Sequence, residues 1–397
     1  MTQQLSATTV GEHADEEFHD DIIYPAAIPF LIVHLTVFAA IWTGVTVQAL
    51  IVCVVAYVVR MIIVTAGYHR YFSHRSFKTS RVGQFVLAAL CQTSAQRGVL
   101  WWAAIHRHHH KHSDTELDIH SPRHRGFWFS HVGWIFSPSK NNPDYSTIPD
   151  LTQYPEIVWL DRHPYFMAVL AGLAFYLVGG WQLLVVGFLW STVLLYHGSF
   201  MINSMAHVMG NQRYVTGDDS RNNWLLAFAT MGEGWHNNHH AYQRSTRQGF
   251  RWWEIDVTFY TLTVLSWFRI VWDLGKPPIE VVRNEHRLGR ATIEKVAQQL
   301  AASFPTDRIA LQLREALPDM PQFAELREKV LSARTQAAAL LDELHLPNVP
   351  SVEELKQRAR VMYANSPSLD EIAERARHLI LDSVALHLFA EPDRAAG

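Results

Sequence analysis

Hydrophobic positions along this chain gather in blocks instead of recurring at an even amphipathic spacing. Two apolar blocks, about Ala26 to Trp42 and about Val47 to Ala66, are separated by the uncharged turn Thr43-Gly44-Val45-Thr46. A second pair, about Tyr165 to Val178 and Gln182 to Ile202, is separated by Gly179, Gly180 and Trp181. This pattern predicts an integral-membrane, all-α fold with four transmembrane helices in two hairpins. Neither turn holds a basic residue, whereas Arg70, Arg75, Lys78 and Arg81 follow the first hairpin and Arg213 and Arg221 follow the second. The positive-inside rule then puts everything outside the turns on the cytoplasmic side. Arg60 lies inside the second block, where charge is costly unless its long side chain reaches the cytoplasmic interface. On a helix that continues past the bilayer, His69 stands roughly 14 Å beyond Arg60.

The segment from Phe85 to Ile105 is apolar but interrupted by Gln92, Ser94, Gln96, Arg97 and Gly98, and reads as an interfacial helix and turn. The stretch from Thr258 to Leu274, with Arg269 and Asp273, reads the same way. After Lys276-Pro277-Pro278 the pattern becomes amphipathic and helical, with helix starts expected at Ser351 and Ser368. Three regions are therefore expected: an acidic tail over 1–24, a transmembrane domain with a cytoplasmic cap over 25–278, and a soluble helical appendage over 279–397. The tail has no Lys or Arg, unlike a signal or transit peptide, so the first apolar block is expected to stay as an anchor.

Composition adds two constraints. The net charge of -3 over 397 residues gives no reason to expect a nucleic-acid partner. Only Cys53 and Cys91 are present, each among apolar residues, which excludes a disulfide framework, a zinc knuckle or an iron–sulfur ligand set. Histidine, by contrast, occurs 23 times, much of it in short stretches, and that points to metal.

Four clusters supply nine histidines: His69 and His74; His106, His109 and His110; His207; His236, His239 and His240. All lie on the expected cytoplasmic side. The spacing i, i+3, i+4 puts three imidazoles on one helical face, twice. His69 and His74, five apart, diverge by about 140° on an ideal helix, so that pair needs a helix end, a bulge or two different metals. Asn203 stands four before His207 and is better suited to holding a metal-bound water than to direct ligation. Asp114, Asp118 and Glu233 lie beside the clusters, placed to orient imidazole N–H groups. His108 and His112 project away from the shared face, and His34 is expected to make an interhelical hydrogen bond. Nine neutral ligands are too many for one ion but suit two. Zinc, copper, nickel and iron all accept imidazole; a lipid-facing site with no hydrolytic nucleophile favours oxygen chemistry on hydrocarbon, and hence iron.

The runs Gly67-Tyr68-His69-Arg70-Tyr71-Phe72-Ser73-His74-Arg75, His106-Arg107-His108-His109-His110-Lys111-His112-Ser113-Asp114, Asn203-Ser204-Met205-Ala206-His207 and Gly232-Glu233-Gly234-Trp235-His236-Asn237-Asn238-His239-His240 resemble the membrane-bound stearoyl-CoA (Δ9) desaturases, in their bacterial form. Ser130-His131-Val132-Gly133-Trp134 fits as well, and the likeness runs from about Pro25 to Pro278. The resemblance implies two irons held by the nine histidines, a water on Asn203, dioxygen as co-substrate, and a kinked tunnel for an acyl chain in which a cis double bond forms. It implies no catalytic residue beyond the metal ligands. Some relatives carry a fused haem domain with a His-Pro-Gly-Gly motif that is missing here, so electrons are expected from a separate ferredoxin, rubredoxin, cytochrome or flavin reductase. Acyl-CoA is the expected substrate, with lipid-bound acyl chains as the alternative. A membrane hydroxylase or alkane mono-oxygenase is the rival within oxygen chemistry, and a metal transporter the rival outside it.

Overall fold

The computed structural model describes residues 27–137, 143–316 and 349–389; the acidic tail expected over 1–24 lies outside the described residues. Gly44, at φ 74°, ends the first apolar run, Ile28–Thr43, since a left-handed residue cannot continue a right-handed helix. The Thr46 hydroxyl then caps Val47–Val64 by accepting the Ala49 N–H at 3.3 Å. A second apolar run, Phe166–His207, breaks at Gly179 and Gly180, the latter at φ 63°, and its two arms pack on each other. The two breaks are joined: the Thr46 hydroxyl donates to Gln182 Oε1 at 3.0 Å. Both turns thus lie at one end of the helical bundle, and His69, His74 and His207 leave from the other.

By length and composition Val47–Ser73 and Phe166–His207 are long and apolar enough to cross a membrane; Ile28–Thr43 and Val257–Trp267 are shorter apolar helices. Leu35, Ile41, Trp42, Val47, Leu177 and Val178 are exposed on the outer faces of these runs, an apolar surface of the kind that marks a membrane or protein contact.

Past Val64 the helix widens. Thr65–Ser73 is π-helical and closes with the His74 N–H donating to the His69 carbonyl, five residues back, at 3.2 Å. The wider turn stacks residues five apart, which an α-helix would separate, so the bulge brings His69 and His74 to one side.

Arg60 is buried at 6% exposure, donating to Thr192 Oγ1 at 2.7 Å, to the carbonyls of Phe188 and Thr93 at 3.2 and 3.3 Å, and to the Ser191 hydroxyl. Acceptors on the neighbouring helix satisfy the guanidinium where it sits, so it has no need to reach water.

The architecture is mostly helical but not purely so: Lys78–Thr79 pairs antiparallel with Val271–Trp272. Two-residue strands carry no alternating pattern for a sequence reading to detect. The interfacial segment appears as helices Arg81–Gln92 and Val99–His112 around a turn, and the later one as helix Val257–Trp267 leading into the second strand.

In the C-terminal region, helices Arg290–Ala302, Thr306–Ala316, Val352–Met362 and Leu369–Phe389 share a core that includes Val296, Leu300, Leu313, Leu355, Ile372 and Ile380. Ser351 caps its helix in a full capping box with Glu354. The Ser368 hydroxyl instead accepts the Leu288 N–H at 2.9 Å, tying that helix to the preceding loop. This bundle leans on the histidine region: Gln299 Nε2 donates to the Gly217 carbonyl at 2.8 Å and Lys295 to the Ser113 carbonyl.

Replacing Arg60 by Ala should cost on the order of 2 kcal/mol, since bonds from a charged donor are lost and the Ser191 and Thr192 hydroxyls lose their partner. The thermal unfolding midpoint in detergent should fall well below that of Arg308→Ala, at an exposed position; equal midpoints would show that this network does not hold the helices.

Candidate metal centre

The nine histidines meet in two groups. His69, His74, His106, His110 and His239 form one and His109, His207, His236 and His240 the other, with the ligand atoms of each group all within 4.8 Å of one another. Within the first, Nε2 atoms stand 3.0 Å apart for His69 and His239, 3.0 Å for His239 and His110, 3.0 Å for His110 and His106, and 2.9 Å for His106 and His74. In the second, the Nε2 atoms of His207 and His236 are 3.0 Å apart. Hydrogen bonds among these rings cannot explain such spacing, because one proton on His106 Nε2 cannot serve two neighbours at once. Nitrogens that ligate one ion at about 2.1 Å, at angles between 90° and tetrahedral, lie roughly 3.0–3.4 Å from each other. The observed separations match the short edge of that range. His240 Nε2 is buried with no hydrogen-bond partner among the described residues, and an ion in the second group would supply what it lacks. The residues present therefore fit a pair of metal ions.

Local structure sets this sorting. On Val99–His112, His106 and His110 are four apart and serve the first group, while His109, about 100° round from His110, serves the second. On the short helix His236–Ala241 the sharing is reversed: His236 and His240 go to the second group and His239 to the first. Each helix thus feeds both groups, and the rings of His110 and His240 are 4.4 Å apart between centres. Gly232, at φ 125°, and Gly234, where a Cβ would come within 2.1 Å of the Ala227 N, let the chain turn tightly enough to place Glu233 and His236 together.

Behind the rings stand carboxylates. His69 Nδ1–H donates to Glu233 at 2.5 Å, His207 to Asp114 at 2.7 Å, His240 to Asp218 at 2.7 Å, and His109 to both oxygens of Asp118 at 3.1 Å. Each bond fixes the tautomer, leaving the Nε2 lone pair facing the group. Burial alone would raise these acids, but the adjacent imidazoles outweigh it and hold Asp114, Asp118, Asp218 and Glu233 below the usual carboxylate range. Burial, and then mutual repulsion, holds His74, His106, His110, His236 and His239 well below the ordinary imidazole value; burial lowers His240 too, against the pull of Asp218. Neutral rings can take a cation without first shedding a proton. Asp114 adopts φ 56°, a conformation that aspartate tolerates better than most residues, and is held by the Ser121 hydroxyl at 2.7 Å and the Asp219 N–H at 2.8 Å.

Asn203 stands outside both groups. It lines an apolar cavity of about 100 Å³ with His106, Trp101, Trp134, Tyr196 and Phe200. His108 faces away, against the Leu117 carbonyl at 2.9 Å, with its ring on that of His112. His34 bonds across helices to His197 at 3.3 Å, and His131 to His197 at 3.0 Å.

Three supports were not visible in the sequence. Asp218 sits in a turn with no periodic signal. Arg70, 1% exposed, bridges Glu233 at 3.2 Å and Asp256 at 3.0 Å, so a fixed cation offsets carboxylate charge beside the histidines. Asn237 and Asn238 lock the six-residue helix: Asn237 Oδ1 accepts the N–H groups of Arg213 and Tyr214, and Asn238 donates to Glu254 and to the Gln248 carbonyl. Only the tandem Asn, unusual inside a helix, hinted at this.

The sequence profile of the family described as fatty acid desaturase matches residues 26–262. Similar proteins include an acyl-CoA 5-desaturase of Anemone leveillei, 39% identical over 224 residues, 56% of this chain and 69% of the relative. An sn-1 stearoyl-lipid 9-desaturase of Anabaena variabilis is 40% identical over 205 residues, 51% of this chain and 75% of the relative. A palmitoyl-monogalactosyldiacylglycerol delta-7 desaturase of Arabidopsis thaliana is 36% identical over 218 residues, 54% and 58% of the two chains.

Replacing Asp218 by Asn should leave the fold intact and weaken the second of two bound divalent ions by about 10–100-fold, because His240 exchanges a charged carboxylate acceptor for a neutral amide that holds the ring less firmly. Chelator competition with added ferrous ion reads this directly. Unchanged affinity at both sites would remove Asp218 from the support of His240.

Proposed function

The chain belongs to the fatty acid desaturase family, and on that premise we propose that it is a membrane di-iron enzyme that uses dioxygen to place a cis double bond, at Δ9, in a saturated acyl chain. The observation that carries the reading is a five-and-four array of converging imidazoles with a cavity ending on His106. His69, His74, His106, His110 and His239 would hold one iron and His109, His207, His236 and His240 the other, with Asn203 holding a water nearby. Bound iron would supply the activation of dioxygen and the removal of two hydrogens from neighbouring methylenes, chemistry that side chains alone cannot perform. Overall, the saturated chain, dioxygen, two electrons and two protons give the unsaturated chain and two waters.

This chain's own residues do the rest. Trp101, Trp134, Ile105 and Phe200 exclude water and confine the hydrocarbon beside His106. Asp114, Asp118, Asp218 and Glu233 keep the Nδ1 protons of His207, His109, His240 and His69 in place, so the ligating faces of these four rings do not rotate away. The apolar helices are proposed to cross the membrane four times, with the joined turns at Thr46 and Gln182 on one side and the histidines on the cytoplasmic side, in keeping with Arg70, Arg75 and Arg213 at that end. Electrons are proposed to come from a separate carrier.

Acyl-CoA is the first reading of the substrate. Lipid-bound acyl chains are the second, favoured by a specific feature: an apolar groove of about 740 Å³ beside Ile32, Val169 and Leu173 shares Ala95, Tyr165 and Tyr196 with the cavity. Relatives of both kinds occur.

Purified protein given stearoyl-CoA or a stearoyl glycerolipid, dioxygen and a reductase should yield the oleoyl product by mass spectrometry; a hydroxylated product would instead make it a hydroxylase, and metal flux into liposomes without product would make it a transporter. His106→Ala, His109→Ala, His236→Ala and His239→Ala should each abolish turnover, whereas His108→Ala and His112→Ala should retain it. Full activity and normal iron content in His236→Ala would remove that residue from the ligand set.

A further inference from the structure

The five-histidine group has a second access, on the side away from the apolar cavity. A polar cleft of about 480 Å³ has His74 and His110 in its lining. Those two rings are half-buried, whereas His69 and His239 of the same group are buried, so here the array meets the exterior. Arg75, Arg107, Lys111 and Arg244 line the same cleft with a single carboxylate, Asp150. Asp150 is shared by Arg75 and Arg107, each at 2.7 Å. Lys111 and Arg244 are exposed, and neither makes an ion pair among the described residues. Four cations face one carboxylate in the lining, so the cleft is net positive even with Asp144 near enough to Lys111 to feel its charge.

Resting on the desaturase reading above, we propose that this cleft is the docking face for an acidic, one-electron carrier protein. Each double bond consumes two electrons, so such a carrier must dock, be oxidised as the metal pair is reduced, and leave, twice per turnover. Electron transfer weakens steeply with distance, and at this cleft only the half-buried rings of His74 and His110 would separate a docked carrier from the metals. A positive rim steers an acidic partner to that spot and speeds its arrival. The wall is rigid: Arg107 also donates to the carbonyls of Ser73 and Phe72 at 2.9 and 3.0 Å, fixing the cleft to the π-helical segment that carries His69. A substrate headgroup is the weaker candidate for occupant, because the cleft and the apolar cavity share no lining residue. An acyl chain in the cavity and a carrier in the cleft would approach the same histidines from separate sides without competing.

The test uses an acidic plant-type [2Fe–2S] ferredoxin as probe, binding to the full chain in detergent. Lys111→Glu combined with Arg244→Glu should weaken binding by about tenfold or more at low salt, with the difference vanishing by about 0.5 M salt, where exposed charges are screened. The ferredoxin KM should rise in step, while iron content and turnover driven by a neutral small-molecule reductant stay unchanged. Unchanged affinity and salt dependence in the double variant would overturn the proposal, as would loss of iron together with binding, or displacement of ferredoxin by free coenzyme A. Double bonds formed at the wild-type ferredoxin KM by the variant would sink the docking face and leave the desaturase reading standing. Ferredoxin bound through the cleft, with no double bond made from any acyl substrate, would do the reverse.

Discussion

Nine imidazoles brought to one place have no way of satisfying one another. Their facing nitrogens are about as close as hydrogen-bonded atoms, yet each ring has one proton to give, and for His69, His109, His207 and His240 that proton points outward to a carboxylate. What remains at the centre is a concentration of lone pairs that only cations relieve. The rest of the molecule can be understood as the framework that keeps these rings oriented and close.

That framework has to solve a geometric problem, because the nine rings come from segments far apart in sequence. A π-helical turn rotates His74 into line with His69. Two helices then each contribute to both groups, so neither group can move without the other. Behind the rings, buried charges are balanced within the fold: Arg70 lies between Glu233 and Asp256, and Arg213 pairs with Glu254 at 2.6 Å. Such pairs add little net stability after desolvation, but they specify one arrangement of the groups they hold. The C-terminal bundle leans on the same region through Gly217 and Ser113, next to Asp218 and Asp114, so a segment with no ligand of its own still bears on ligand orientation.

The two approaches to the histidines differ in chemistry. The cavity on the His106 side is walled mainly by aromatic and aliphatic side chains, with Gln96, Arg97, Ser199 and Asn203 also in its lining. The cleft on the His74 and His110 side is polar and cationic. The proposed oxygen-dependent reaction on an unactivated chain would benefit from this separation, since electrons and protons would arrive without opening the hydrocarbon side to solvent.

By itself the sequence determined what depends on local pattern: the apolar blocks, the glycine breaks between them, the histidines at i, i+3 and i+4, and the family to which the quoted runs point. These follow from periodicity and residue chemistry, which need no partner in space. Tertiary structure decided the rest. Whether His109 joins His110 or His207 depends on which ring lies across from it. Arg60 stays inside because Ser191 and Thr192 happen to face it, and Asp218 matters only because its turn folds back beneath His240. The short pairing of Lys78–Thr79 with Val271–Trp272 likewise joins segments that carry no strand signal. Each of these depends on a contact between residues distant in the chain, and long-range proximity is what a linear pattern does not encode.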